Sequence, residues 1–314
     1  MGVAGLNPAW ITTYHDKDWR ESVLFFNNRM FMPLPRNAHL LYHTGAFFSH
    51  RLKAWNTGGE GIHSPYLFYL VRMLMYDDHR YYIWDDIERC RLRMLQSDET
   101  VEVEDFGTGS RRPSVRRIAD VARTSLEKPV NAQLLFRWVH FLSGGRPDGL
   151  NIVELGTSLG ITTAYLAAPS SGNRVLTFEG SRSLADCARR NWKSLGLTNI
   201  TCVEGNLDAT LEDSLYNNIC ARANKGSGGG IDFAFIDANH TREATLRYWR
   251  ALSIYRHRKS VFVVDDIHRS PGMEAAWKEI AAQDCVSSTM DLFHMGVVFF
   301  DPDYLRRHYV LRYP

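Results

Sequence analysis

The sequence has no C-x-x-C pair, and its five cysteines, Cys90, Cys187, Cys202, Cys220 and Cys285, are odd in number and widely spaced. That pattern excludes a disulfide framework and a zinc ribbon, and predicts reduced thiols in a cytoplasmic setting. Long apolar runs are missing too. Nothing approaches the roughly 18 consecutive apolar residues of a membrane helix. Asp16, Lys17, Asp18 and Arg20 interrupt the amino-terminal stretch, so neither a leader nor a span is expected. Gly2 is followed by Leu6 where an acylation signal wants Ser or Thr. Charge of one sign is also lacking: 37 Lys+Arg against 35 Asp+Glu leave a formal +2. A nucleic-acid partner, which calls for a concentrated positive field, is therefore not expected. Arg111-Arg112, Arg116-Arg117 and Arg256-His257-Arg258-Lys259 read as solvated faces.

What is present is an ordinary globular composition, 45% hydrophobic over 314 residues, with room for about two domains by length. The chain is organised around Asn151–Ala167, NIVELGTSLGITTAYLA. Ile152, Val153 and Leu155 read as a buried parallel strand that breaks into Gly156-Thr157-Ser158-Leu159-Gly160 before a helix from Ile161 to Ala168. Glycines there let backbone N–H groups and the helix start approach a ligand closely, and Glu154 is expected to offer a carboxylate to the same crevice. A tight turn that binds nothing would have the same local sequence, so the surroundings decide.

Residues 1–60 hold scattered aromatics, Pro33, Pro35 and a Gly58-Gly59 break without a sustained period, and read as an arm of open role: lid, dimer arm or extension. Residues 61–147 form a helical region expected to shape a substrate pocket. Its helices are predicted from Ser64-Pro65 onward, over Ile83–Leu95, Val115–Arg123 and Val130–Leu142. Glu104 to Ser110, EDFGTGS, imitates the glycine turn but follows no apolar strand. Residues 148–314 then alternate strands (Ile152–Leu155, Val175–Phe178, Ile200–Val203, Ile231–Ile236, Ser260–Val264) with helices. Val286–Leu292 and Val297–Phe300 follow as an antiparallel hairpin, and Lys225–Gly230 is a surface loop. The fold class is α/β: a doubly wound Rossmann-like parallel sheet with a closing hairpin, preceded by helices.

Ligands of such sheets bind beyond the carboxyl ends of the strands, and there the residues are repeatedly acidic or small. After successive strands come Glu154 with the glycine turn, Glu179-Gly180, Glu204-Gly205-Asn206, Asp237-Ala238-Asn239-His240 and Asp265-Asp266-Ile267-His268. Glu179 stands where a ribose-binding acid is expected in a βαβ nucleotide unit.

Glu154-x-Gly156-x-x-x-Gly160, Glu179, Gly205-Asn206, Asp237 and Asp265-Asp266 resemble the ordered motifs of the class I S-adenosylmethionine-dependent methyltransferases, over residues 127–300. FIDANH followed by VFVVDDIH is similar to the O-methyltransferase branch of catechol and caffeoyl-coenzyme A enzymes, and to bacterial relatives of unassigned substrate. The resemblance implies that Gly156, Thr157, Ser158, Gly160 and Thr162 line the methionine portion, with Glu154 and Gly180 at the same cofactor site. It further implies that Glu179 takes the ribose hydroxyls and that Gly205 and Asn206 lie against the adenine. In the metal-dependent branch the positions of Asp237, Asp265 and Asp266 hold a divalent cation such as Mg²⁺, the last usually being Asn, and a catalytic lysine falls at His240.

The residues also speak for themselves. Three carboxylates at neighbouring strand ends make a hard-oxygen set for such an ion, and His240 or His268 are candidate bases beside Asp237. The expected partner is a small-molecule methyl acceptor, with a homodimer as an option. Two rival readings remain. One is an α/β-hydrolase in which Gly156-x-Ser158-x-Gly160 is a nucleophile elbow served by Asp265 or Asp266 and His294; the other is a non-catalytic S-adenosylmethionine-binding module.

Overall fold

A computed structural model describes residues 36–54, 62, 64–104, 114–220 and 229–313. The arm up to residue 35, most of the glycine-turn mimic at 104–110 and most of the loop at 225–230 lie outside the described residues.

The expected sheet is present and larger than predicted. It contains β3 (Asn151–Leu155), β4 (Arg174–Glu179), β5 (Ile200–Glu204), β6 (Ile231–Ile236), β7 (Arg256–Asp265), β8 (Ser288–Asp291), β9 (Met295–Phe299) and β10 (Arg307–Val310). Their order is β10-β8-β9-β7-β6-β3-β4-β5. Strands β5, β4, β3, β6 and β7 run parallel, and β9 pairs antiparallel with both β7 and β8. The last strand, β10, lies parallel to β8 and was not foreseen, because RHYV offers one buried residue, Tyr309, among exposed and half-buried neighbours.

Alternation along β7 sorts the core. Val261 and Val263 join a cluster with Leu134, Leu135 and Trp138 of α5 (Pro129–Ser143), while Phe262 and Val264 face Trp249 and Ile280 of two later helices. Helix α5 therefore shares its core with the sheet, one face of which it covers.

The amino-terminal region corrects one expectation. It is not all helix: between α3 (Tyr82–Leu95) and α4 (Ile118–Ser125) lies an antiparallel ribbon of β1 (Thr100–Val103) and β2 (Ser114–Arg117). Val115 to Arg117, predicted as the start of a helix, are extended because they pair with Val101 and its neighbours. The short helix α2 (Pro65–Leu70) starts as expected, Ser64 Oγ accepting from Leu67 N–H at 3.4 Å. Before it, α1 (Arg36–Lys53) packs on the β8–β9 side of the sheet, where His50 reaches Asp291. Cys90, Cys187, Cys202 and Cys285 are free thiols, and no described helix is long and apolar enough to cross a membrane.

Candidate functional site

The strand order reverses between β3 and β6, so their carboxyl ends diverge into a crevice, the usual ligand position in an open parallel sheet. A cavity of about 690 Å³ opens there. Gly156 forms its floor with φ +103, and a Cβ on it would lie 2.2 Å from the Asp237 carbonyl oxygen, so only glycine lets the two chains approach. Ser158 also takes a left-handed φ of +49, which turns its N–H onto Glu179 Oε2 at 2.7 Å. The other Glu179 oxygen accepts from Ser181 N–H at 2.9 Å. Burial pushes the Glu179 carboxyl up to about 7 despite these two donors. Gly180, Gly205 and Asn206 continue the lining beyond Glu179, and Asn206 caps the next helix through Asp208 N–H at 3.0 Å.

Four expected cofactor residues are placed elsewhere. Glu154 does not open on the crevice: it is 0% exposed beneath the turn, accepting from Thr163 Oγ1 at 2.5 Å and Thr177 Oγ1 at 2.7 Å. Burial raises its carboxyl to about 7. Thr157 Oγ1 lies 2.6 Å from Thr177 Oγ1, so a hydroxyl chain links the turn to the buried acid and Thr157 supports the turn from below. Gly160 serves packing, since a Cβ there would meet Trp192 Nε1 at 2.6 Å, and its carbonyl accepts from that indole at 2.8 Å. Thr162 is buried in helix α6 (Ile161–Ala167), away from the cavity lining.

The acids on the other side of the crevice are regrouped. Carboxylate oxygens of Asp237, Asp265 and Glu127 lie within 4.8 Å of one another. Burial and mutual repulsion hold Asp237 and Asp265 well above the usual carboxylate range, and burial raises Glu127 as well. Asp266 does not join them as expected. Its φ of +53 swings the side chain to Arg269 Nη1 at 2.7 Å. Glu127, from the loop before α5, takes the third place; sequence reasoning missed it because only a long-range contact brings it to the strand ends. The trio offers hard oxygens suited to Mg²⁺.

The histidines separate. His240 stays in the cavity, Nε2 3.4 Å from Asp237 Oδ1 and Nδ1 3.7 Å from Asp266 Oδ2, and burial lowers its pKa below 6.5. His268, expected as a second base, points away: its Nε2 binds Asp291 Oδ2 at 2.7 Å, and its ring stacks on Phe293. His50 Nε2 meets the other Asp291 oxygen at 3.2 Å. His294 enters the cavity next to Lys128, whose ammonium lies 3.4 Å from the ring Nε2. Burial, then Lys128, push this imidazole down to about 4. The hydrolase relay is not assembled, since Ser158 Oγ pairs with Ser125 Oγ at 2.7 Å and His294 with Lys128.

A family model described as a methyltransferase domain matches residues 153–267. No curated protein matches the chain. Among solved structures, it is similar to an O-methyltransferase from Bacillus cereus in complex with S-adenosylhomocysteine, at 19% identity and TM-score 0.48, covering 74% of this chain and 95% of that one. The O-methyltransferase TomG of Streptomyces achromogenes, involved in tomaymycin synthesis, matches at 14% and 0.48, covering 74% and 94%. The methyltransferase PaMTH1 of Podospora anserina matches at 12% and 0.46, covering 86% and 99%.

Proposed function

We propose that this chain, whose residues 153–267 match the methyltransferase-domain model, transfers the methyl group of S-adenosylmethionine to a hydroxyl of a small molecule. The observation that carries this reading is Glu179, a carboxylate fixed by the Ser158 and Ser181 N–H groups on the floor of a cavity at the sheet's switch point. Each carboxylate oxygen keeps a lone pair for a ribose hydroxyl. Gly205 and Asn206 would flank the adenine, and Gly156 and Ser158 the methionine portion, which brings the sulfonium to the β3–β6 crevice beside Asp237.

The sulfonium is already an activated methyl donor, so the protein's work is alignment of the acceptor oxygen, a contribution worth roughly 7–11 kcal/mol in well-oriented systems. His240, kept neutral by its lowered pKa, accepts the acceptor's proton at a ring nitrogen while Asp237 orients the ring. A divalent cation fits Glu127, Asp237 and Asp265, carboxylates within 4.8 Å of one another that burial, with mutual repulsion, raises. When bound there, such an ion supplies Lewis-acid polarisation of the acceptor hydroxyl.

Calorimetry with S-adenosylmethionine and S-adenosylhomocysteine tests the reading. Both are expected to bind, and Glu179→Ala should cost about 1.5–3 kcal/mol for each charged hydrogen bond lost. Binding of NAD with no binding of either methionine nucleoside would overturn it.

A further inference from the structure

Beyond the acids, on the side away from the glycine turn, the cavity carries a basic end that the methyl donor would not reach. The strand order sets out the lining in sequence: Gly205 after β5, Glu179 on β4, Gly156 after β3, Asp237 after β6, Asp265 on β7, then the β8–β9 turn with His294. Met295 is paired with Asp265, so His294, one residue earlier, flanks the acidic band across the β7–β9 ladder. Neighbouring strands are about 4.8 Å apart, which puts the basic end two spacings, roughly 10 Å, beyond Asp237. That is room for one ring and a short substituent.

We propose that this end binds an anionic group, a carboxylate or phosphate, on the methyl acceptor, with Lys128 and His294 as its specificity-determining residues. The inference rests on the proposed function, since it takes the β3–β5 half of the cavity as the cofactor's. Lys128 is exposed to the cavity and forms no ion pair among the described residues; its ammonium instead meets the His294 ring. The two arginines of the lining are differently engaged. Arg269 is held by Asp266 at 2.7 Å. Arg116 donates to Thr124 Oγ1 at 3.3 Å and sits on the ribbon, whose Glu102 carbonyl accepts from Ser181 at 3.2 Å, which places it at the cofactor end. Among the described lysines and arginines of the lining, Lys128 is thus the cation left to answer an acceptor's charge, and the backbone fixes its place: it precedes Pro129, the first residue of α5, and follows Glu127 of the acidic trio. An acceptor held at both ends, hydroxyl at the acids and anion at Lys128, is aligned by two charged anchors that fix the reacting oxygen from opposite ends of the molecule.

The test is calorimetry on the full chain saturated with S-adenosylhomocysteine, using 3,4-dihydroxybenzoate and its uncharged amide as paired probes. The acid should bind at least about ten-fold tighter than the amide, the scale of one charge-assisted hydrogen bond. Lys128→Met should abolish the preference and Lys128→Arg should keep it. Equal binding of acid and amide, a preference that survives Lys128→Met, or binding of neither probe to the cofactor-loaded protein would overturn the proposal. Failure of S-adenosylhomocysteine itself to bind would strike the function reading instead.

Discussion

Glu154→Gln isolates the one carboxyl among the described residues that is 0% exposed. Wild-type Glu154 rises from 4.5 to about 7 because burial disfavours its charged form, a push that two hydroxyl donors on one oxygen, with no partner on the other, offset only in part. A raised acid binds its proton more tightly in the native state, so its full stability is present below the unfolded value of 4.5 and is lost as pH climbs to about 7. At about 1.4 kcal/mol per pH unit, the loss amounts to roughly 3 kcal/mol at neutral pH and above, and the group contributes no further slope beyond that. Glutamine keeps an oxygen for Thr163 and Thr177 and has no proton to release. Urea denaturation from pH 4.5 to 8 should therefore show a stability that declines in the wild type and declines less in the variant by that amount. The variant should be the more stable protein at pH 8. Parallel profiles across the range would refute the reasoning, because they would mean that Glu154 ionises no differently in the folded chain.

Gly160→Ala should lower stability by about 2 kcal/mol or more, read from the denaturation midpoint, since a left-handed alanine would press on Trp192. Calorimetry with Mg²⁺ should find affinity reduced at least about ten-fold by Glu127→Gln or Asp265→Asn and little changed by Asp266→Asn, whose carboxylate serves Arg269. An Asp266 variant as impaired as the other two would restore the adjacent-acid set. His268→Ala should cost about 1–3 kcal/mol of stability by taking one of two histidine partners from Asp291, with S-adenosylhomocysteine affinity unchanged in the folded protein. A selective loss of cofactor affinity would return His268 to the site.

The sheet and its crevice were legible because the parallel strands β3 to β7 each carry an apolar run that ends at an acid or a glycine, a pattern that depends only on neighbours in sequence. What was misread depends on distant ones. Ser114–Arg117 is exposed throughout and carries two arginines, so only its ladder with Thr100–Val103 makes it a strand. Glu154 and Gly160 belong to the signature, yet one supports the turn from inside and the other admits Trp192; sequence order cannot distinguish facing a ligand from holding the residue that does. Asp266 looks equivalent to Asp265 until a positive φ reverses its direction. Glu127 could have been noticed only as an acid just ahead of a Pro-initiated helix, a weak sign at best.

Helix α1 has a consequence for the order in which the molecule is made. Several of its bonds reach far along the chain: Tyr42 donates to Glu274, His50 meets Asp291, and the Arg51 carbonyl accepts from Arg312 at 3.1 Å, 261 positions away. At a synthesis rate of about 5–20 residues per second, this helix waits roughly 10–50 s after leaving the ribosome before those partners exist. Over that interval Leu41, Phe48 and Leu52, which remain exposed even in the finished fold, stand on a segment whose partners Glu274, Asp291 and Arg312 have yet to be made. Helix α1, the first of the described helices, is thus among the last to settle, and the wall of the cavity that carries His43 closes only once the carboxy-terminal strands have joined the sheet.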